Sequence, residues 1–182
     1  MPGIFQGWNH PRSIVHLTSD ALRHWKNAQP LVLASDRVID ACVIQLTNNR
    51  WRMWYNNERD KKPIYYADST NLVVWTDKGK AVADQSGEGP KVFRWQNSLW
   101  MITDVWRGLV VYRSDDATSW KRQPGGNLLE APGTGADDQV MGGHPDIVVS
   151  GDRAFLFYFT HIQDGDRARP RMDLNNAAVP CS

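Results

Sequence analysis

The sequence predicts an all-β protein, a β-propeller of four-stranded antiparallel blades. Three observations predict it: a serine–tryptophan spacing recurs, short apolar runs alternate with polar turns, and no long segment has a helical pattern. The serine and the tryptophan lie six positions apart each time, in the pairs Ser19–Trp25, Ser69–Trp75 and Ser114–Trp120. A repeat of about 45–50 residues is typical of one structural unit copied around an axis.

Each copy is predicted to contain strand, tight turn, strand, loop, strand, turn and strand. The second strand of each copy is an aromatic run, at 51–57, 99–106 and 154–161, whose side chains alternate between two faces. An apolar inner strand precedes each aromatic run in the same register. These runs are short, rich in valine, isoleucine and aromatic residues, and bounded by turn residues, which favours strands over helices.

The repeat predicts a partial propeller domain at 1–161 and a tail at 162–182. Within the domain we expect an incomplete blade one at 1–35, blade two at 36–85, blade three at 86–130 and an incomplete blade four at 131–161. The tail is polar and lacks alternation, so it is predicted to be irregular. Propellers have four to eight blades, and about three fit in this chain. We therefore expect a fragment of a propeller, with closure by a partner chain as the alternative.

Composition excludes some classes of function and leaves others open. The formal net charge is +1 and the basic residues are scattered, which disfavours nucleic-acid binding. No apolar stretch is long enough to span a bilayer, so no membrane partner is expected. The two cysteines, Cys42 and Cys181, do not form a disulfide framework. No signal peptide is visible at the N-terminus, and a cytoplasmic and a secreted location both stay open, as does the oligomeric state.

Strand direction predicts where a functional site lies. In an up-and-down blade, the inner strand starts on the same face on which the second strand ends. The residues expected at this mouth of the channel are Asp40, Glu88, His144 and Asp146 at inner-strand starts, and Asn57, Trp106, Arg107 and His161 at second-strand ends. The connection at 130–143 is expected to arch over the same rim. Carboxylates that converge from different blades suit acid–base chemistry on a glycosidic bond.

One motif resembles a known family. Glu88-Gly89-Pro90, one blade after Ile39-Asp40-Ala41, resembles the five-bladed glycoside hydrolases of family 43. The turn at 19–25 is similar to that of the same group and of family 32. The segments 142–144 and 157–161 resemble its late-blade sequence, which family 117 shares. The resemblance covers roughly 13–161.

The resemblance implies roles for individual residues. Glu88 would be the general acid, and Asp40 would orient it and raise its pKa. His144 would lie near the channel axis, where the family often has a cation or water; a structural calcium ion is therefore possible, and no cofactor is required. His144, Asp146, Trp106, Arg107, Asn57 and His161 are the candidates for substrate binding. No residue is predicted to be a metal ligand.

The family is inverting and takes its general base from the first strand of blade one. That strand would precede Met1, so the resemblance assigns the base to no residue of this chain. Ala41 also stands where the family usually has proline.

The predicted function is hydrolysis of terminal glycosidic bonds in oligo- or polysaccharides. The alternative is a non-catalytic carbohydrate-binding propeller that lacks the base. A protein-interaction propeller of the kelch or tryptophan–aspartate kind is disfavoured, because the chain lacks the recurring Gly-His and Trp-Asp dipeptides of those repeats.

Overall fold

A computed structural model describes residues 11–164 and 167–171 of the chain. These residues form four antiparallel sheets in chain order and contain no α-helix. The first sheet pairs β1 (Val15–Thr18) with β2 (Lys26–Pro30). The part of blade one at 1–10 lies outside the described residues.

The second and third sheets are complete up-and-down blades. The second contains β3 (Val38–Thr47), β4 (Arg50–Asn57), β5 (Ile64–Ser69) and β6 (Thr76–Val82), in that spatial order. The third contains β7 (Glu88–Trp95), β8 (Ser98–Asp104), β9 (Leu109–Ser114) and β10 (Lys121–Arg122). A single turn of 3-10 helix, Glu58–Asp60, follows β4. The predicted all-β class and four-stranded antiparallel blade are confirmed.

The fourth sheet corrects the prediction for the tail. It contains β11 (Gly143–Ser150), β12 (Arg153–Asp164) and β13 (Arg167–Arg171). The segment at 162–182 was expected to be irregular, but β12 continues to Asp164 and pairs with β13. The extended end of β12 offers backbone donors and acceptors that β13 satisfies. As an edge strand, β13 tolerates Pro170, which has no amide hydrogen to donate. Residues 172–182 lie outside the described part of the chain.

The main core lies between the second and third sheets. Its buried side chains come from both blades: Trp54, Ile64 and Val82 from one, Val92, Met101, Val110 and Tyr112 from the other. The ring of Trp54 meets that of Trp120 edge to face, with centroids 5.8 Å apart. Removing this apolar surface from water stabilises the contact between blades and so fixes their relative position.

The inner strands β3, β7 and β11 share a backbone irregularity at the mouth. Near its start, each of these strands has two consecutive residues that do not pair with the second strand of its blade. The first of these two residues has a positive φ in every case: Asp40 (59°), Gly89 (56°) and His144 (42°). This region favours glycine, so the bulge is imposed on Asp40 and His144 by their surroundings.

Candidate active site

Glu88 is the centre of the candidate site, because three side chains from three blades contact its carboxylate. The indole nitrogen of Trp106 donates to Oε1 at 3.1 Å, and Nε2 of His144 lies 3.2 Å from the same oxygen. The ammonium of Lys62 donates to Oε2 at 3.0 Å. We call these four residues the Glu88 cluster. The Glu88 side chain is 14% exposed, so it is mostly buried but still reaches solvent.

These contacts stabilise the ionised form of Glu88. The hydrogen bond from His144 is the largest influence, and the contributions of Lys62 and Trp106 add to it, whereas burial acts in the opposite direction. The pKa of Glu88 falls from 4.5 to about 2. The net pKa shift of Glu88 is therefore downward, opposite to the increase that the resemblance implied, because the nearby donors outweigh burial and any effect of the neighbouring Asp40 charge.

Asp40 lies beside Glu88, as the strand directions predicted. Its Oδ2 accepts a hydrogen bond from the Gly89 amide at 3.1 Å, so it holds the residue that follows Glu88. Burial raises the pKa of Asp40, and the charge of Glu88 adds to this increase. Both carboxylates therefore face one mouth of the sheets. A role for Asp40 in tuning the acid stays a prediction.

His144 is held on three sides. Its ring stacks on Phe159, with centroids 5.5 Å apart and planes 22° from parallel. Its amide donates to Asp104 Oδ2 at 2.9 Å, while its Nε2 faces Glu88. The contact with Glu88 is the main cause of a raised pKa at His144, which favours the imidazolium. A methyl group on Gly89 would lie 3.1 Å from His144 Nδ1, so glycine at 89 allows the approach.

Lys62 was missed by the sequence analysis. It lies in the loop that joins β4 to β5, and two hydrogen bonds tie that loop to the start of blade three: Gly87 N–H to Lys62 O at 2.9 Å and Ser86 Oγ to Lys61 O at 2.6 Å. Its ammonium also lies 4.7 Å from the centre of the Trp106 ring. Because β4 ends at the mouth, strand direction also places the loop after β4 at the mouth. The position of this loop was the signal that could have identified Lys62.

Asp104 was also missed. It is the last residue of β8 and only 4% exposed. One carboxylate oxygen accepts from the Trp106 amide at 2.7 Å and the other from the His144 amide at 2.9 Å. An acidic residue at the end of a largely buried strand was the available signal.

Arg107, Asn57 and Asp146 were also predicted to bind substrate, and their side chains contact partners outside the Glu88 cluster. Arg107 donates to Glu130 at 2.6 Å, with its side chain 78% exposed at the rim. Asn57 is 3% exposed, and its Oδ1 accepts from the Arg59 amide and from Ser35 Oγ, so it caps the 3-10 helix. Asp146 is exposed and lies 3.7 Å from the ammonium of Lys91. Of His161, only the backbone, in β12, is described.

The predictions on metal and membrane stay predictions. Among the residues with described side chains, no group of three or more histidine, cysteine, aspartate or glutamate residues is arranged to hold a metal ion. His144 contacts a carboxylate and an aromatic ring. A calcium ion near the axis stays a prediction. In the described part of the chain, no helix is long and apolar enough to cross a bilayer.

Comparison with known proteins identifies the fold. No protein-family model and no curated protein matches the sequence. Solved structures do. A fructofuranosidase from Schwanniomyces occidentalis, complexed with fructose, superposes with a TM-score of 0.67 at 15% identity, over 97% of this chain and 40% of that one. The chain has the fold of the propeller glycoside hydrolases.

Two further structures support this fold. An exo-1,5-α-L-arabinanase from a bovine ruminal metagenomic library matches with a TM-score of 0.62 and 17% identity, over 84% of this chain and 59% of its own. A family 117 glycoside hydrolase from Zobellia galactanivorans matches with a TM-score of 0.57 and 17% identity, over 68% and 48%. The predicted likeness to propeller glycoside hydrolases is confirmed for the fold. The chain spans less than two thirds of the length of each of these structures.

Proposed function

We propose that this chain forms part of a glycoside hydrolase that cleaves terminal sugars from oligo- or polysaccharides. The observation that carries the proposal is the Glu88 cluster, in which one carboxylate is ordered by donors from three blades beside a second carboxylate, Asp40. Two acidic groups at the mouth of a propeller suit the acid–base cleavage of a glycosidic bond.

Glu88 is the proton donor in this proposal. Its proton goes to the glycosidic oxygen as the bond from that oxygen to the anomeric carbon breaks, and a water attacks the opposite face of the sugar. The water loses its proton to a base that we assign to no residue of this chain. The anomeric configuration inverts, and no covalent intermediate forms.

Substrate binding has to prepare Glu88 for this role, since a pKa of about 2 leaves it ionised at neutral pH. A sugar that replaces Lys62 at Oε2 removes one donor and excludes water, and both changes raise the pKa of Glu88. Asp40 then acts through the Gly89 amide, which it holds at 3.1 Å. The Trp106 ring, 38% exposed, offers an apolar surface beside the carboxylate for one face of a sugar.

A non-catalytic sugar-binding propeller is the second candidate. The low pKa of Glu88 favours it, because an ionised carboxylate accepts hydrogen bonds from sugar hydroxyl groups without donating a proton. The two candidates differ in whether Glu88 ever needs to be protonated.

Glu88→Gln in the full-length protein separates them. The similar solved structures suggest which substrates to test: arabinosides, fructosides and β-1,2-linked mannosides. The last linkage is named for a family 130 structure with a TM-score of 0.65. For the sugar that is cleaved, aryl glycosides with a poor and a good leaving group are compared. If Glu88 is the acid, the variant loses about 10²–10⁴-fold in kcat on the poor leaving group and far less on the good one.

Asp20→Asn is the matched control, because Asp20 is a carboxylate with a 98% exposed side chain in the first serine–tryptophan turn. It should hydrolyse both substrates like wild type. Equal losses on both leaving groups would contradict the role of Glu88 as acid. If calorimetry shows that the wild-type protein binds a sugar that it does not cleave, the binding-only candidate stands.

A further inference from the structure

The Asp104 carboxylate accepts hydrogen bonds from two residues whose side chains both contact the same oxygen of Glu88. Its Oδ1 accepts from the amide of Trp106 and its Oδ2 from the amide of His144. The side chains of these same residues both reach Glu88 Oε1, at 3.1 and 3.2 Å. Asp104 is also the cross-strand partner of Glu88 in the pairing of β7 with β8.

Both residues held by Asp104 have an unfavourable backbone conformation. The φ of Trp106 is 57° and that of His144 is 42°, a region that bulky residues rarely occupy. Such conformations persist only where the surroundings determine them. A buried carboxylate that accepts one amide hydrogen from each residue supplies that determination.

The space around Asp104 is shaped for this arrangement. A methyl group on Gly143 would lie 2.8 Å from Asp104 Oδ2 and 3.1 Å from the ring of Phe159. Glycine at 143 therefore allows the carboxylate to reach the next amide, that of His144. With 4% exposure, Asp104 has little water available to replace either hydrogen bond.

We propose that Asp104 is a positioning residue that sets the backbone of Trp106 and His144 and thereby places both of their donors on Glu88 Oε1. Asp104 does not contact the substrate in this proposal; it acts through the two residues. The inference rests on the proposed function only for its effect on turnover. Its structural content concerns the ligand-free protein and is tested there.

The test is Asp104→Asn, observed by NMR in full-length protein labelled with ¹⁵N at tryptophan and histidine. Trp106→Phe and His144→Gln assign the two signals. An asparagine side chain has a single acceptor oxygen, so one of the two amides loses its partner. In wild type, the Trp106 indole N–H signal should follow the titration of Glu88. In Asp104→Asn this response should fall at least several-fold, and the titration midpoint of His144 should move toward its ordinary value of about 6.5.

The Trp106 signal is decisive because the indole carries no charge, so the loss of the Asp104 charge does not account for a lost hydrogen bond. Asp68→Asn is the control for general destabilisation, since Asp68 pairs with the buried Arg52 in blade two, away from the Glu88 cluster. It should lower the melting temperature and leave both signals as in wild type.

If Asp104→Asn does not fold, Gly143→Ala takes its place, because the added methyl group displaces the Asp104 carboxylate without removing it. Wild-type behaviour of both signals in the folded variant overturns the inference. Changed signals support it even if no glycoside is cleaved, in which case only the proposed function fails. Where turnover is measurable, a several-fold fall in kcat with a small change in KM is expected.

Discussion

The two faces of these sheets repeat in different ways. On one face, the turns at 19–25, 69–75 and 114–120 repeat a serine and a tryptophan six positions apart. The hydroxyls of Ser19 and Ser69 accept from backbone amides of their own turns, and that of Ser114 donates to Asp116, so each serine bonds within its turn. At the mouth, the backbone bulge of the inner strands repeats, but the residue on it changes from Asp40 to Gly89 to His144. Repetition of a side chain indicates structure, whereas a changing side chain on a repeated backbone indicates a site.

The origin of a lowered pKa distinguishes the same two faces. Asp116, on the turn face, has a pKa far below its usual range because the amides of Ser119 and Thr118 donate to it from the same turn. Glu88 owes its low pKa to side chains from three different blades. A perturbed pKa therefore marks a candidate site here only where distant elements cause it.

Arg52→Met should have the largest effect on stability and break the turn face alone. Arg52 is 4% exposed, binds Asp68 through two nitrogens at 2.6 and 2.8 Å, and donates to the Ala117 carbonyl in the turn at 114–120. Its removal leaves Asp68 and that carbonyl without the cation. We expect a loss of about 3 kcal/mol in the free energy of unfolding, measured in urea.

Arg59→Met is the matched control, because Arg59 binds Asp36 with the same two-pronged geometry, at 2.7 and 2.8 Å, on an exposed surface. Solvent screens that pair, so this variant should unfold close to wild type. The Trp106 indole signal should be unchanged in both variants. A shift of that signal in Arg52→Met would mean that the two faces are coupled.

Gly89→Ala should have an intermediate effect and break the mouth. The alanine takes a φ of 56°, and its methyl group lies 3.1 Å from His144 Nδ1. Strain and crowding together should cost about 1–2 kcal/mol of stability. Displacement of His144 should also move the titration midpoint of its ring toward about 6.5, which NMR measures.

Gly151→Ala separates strain from crowding. Gly151 has a φ of 61°, and a methyl group there meets nothing within 4 Å. It should lose stability through strain alone and leave His144 unchanged. An equal response of His144 in both variants would show that contact with residue 89 does not position the ring.

The fold was predictable because its signal is periodic. Recurring tryptophans and alternating aromatic strands report on burial once per blade, and burial sets the sheets. The strand β13 was not predicted. Low apolar content hid it, since an edge strand is stabilised by backbone hydrogen bonds and needs few apolar side chains.

For the site, strand direction predicted which residues lie at the mouth but not which side chains contact one another. It placed Asp40, Glu88 and His144 at one mouth, since each starts an inner strand. It did not distinguish Trp106, which contacts Glu88, from Arg107, whose side chain goes to Glu130. Nor did it give the sign of the pKa shift at Glu88, which depends on side-chain contacts and not on blade order.

Lys62→Met should have the smallest effect and sharpens the account of the mouth. Lys62 donates to Glu88 Oε2 at 3.0 Å, and its loss should move the pKa of Glu88 up from about 2 toward 4.5. A carboxyl group with a lowered pKa adds stability that is complete above pH 4.5 and is lost as the pH falls through about 2. The variant should therefore be less stable by about 1 kcal/mol above pH 4.5, with the difference vanishing near pH 2.

A ¹³C titration of the Glu88 carboxyl signal, assigned with Glu88→Gln, measures the pKa directly. Lys80→Met is the control, because Lys80 binds Asp60 at 2.7 Å and does not reach Glu88. Only Lys62→Met should raise the Glu88 midpoint. His144 and Trp106 still donate to Oε1 in that variant, so the midpoint should stay below 4.5. An unchanged midpoint would mean that Lys62 adds nothing to the stabilisation of the carboxylate. The contacts of His144 and Trp106 with Oε1 would then account for the low pKa of Glu88.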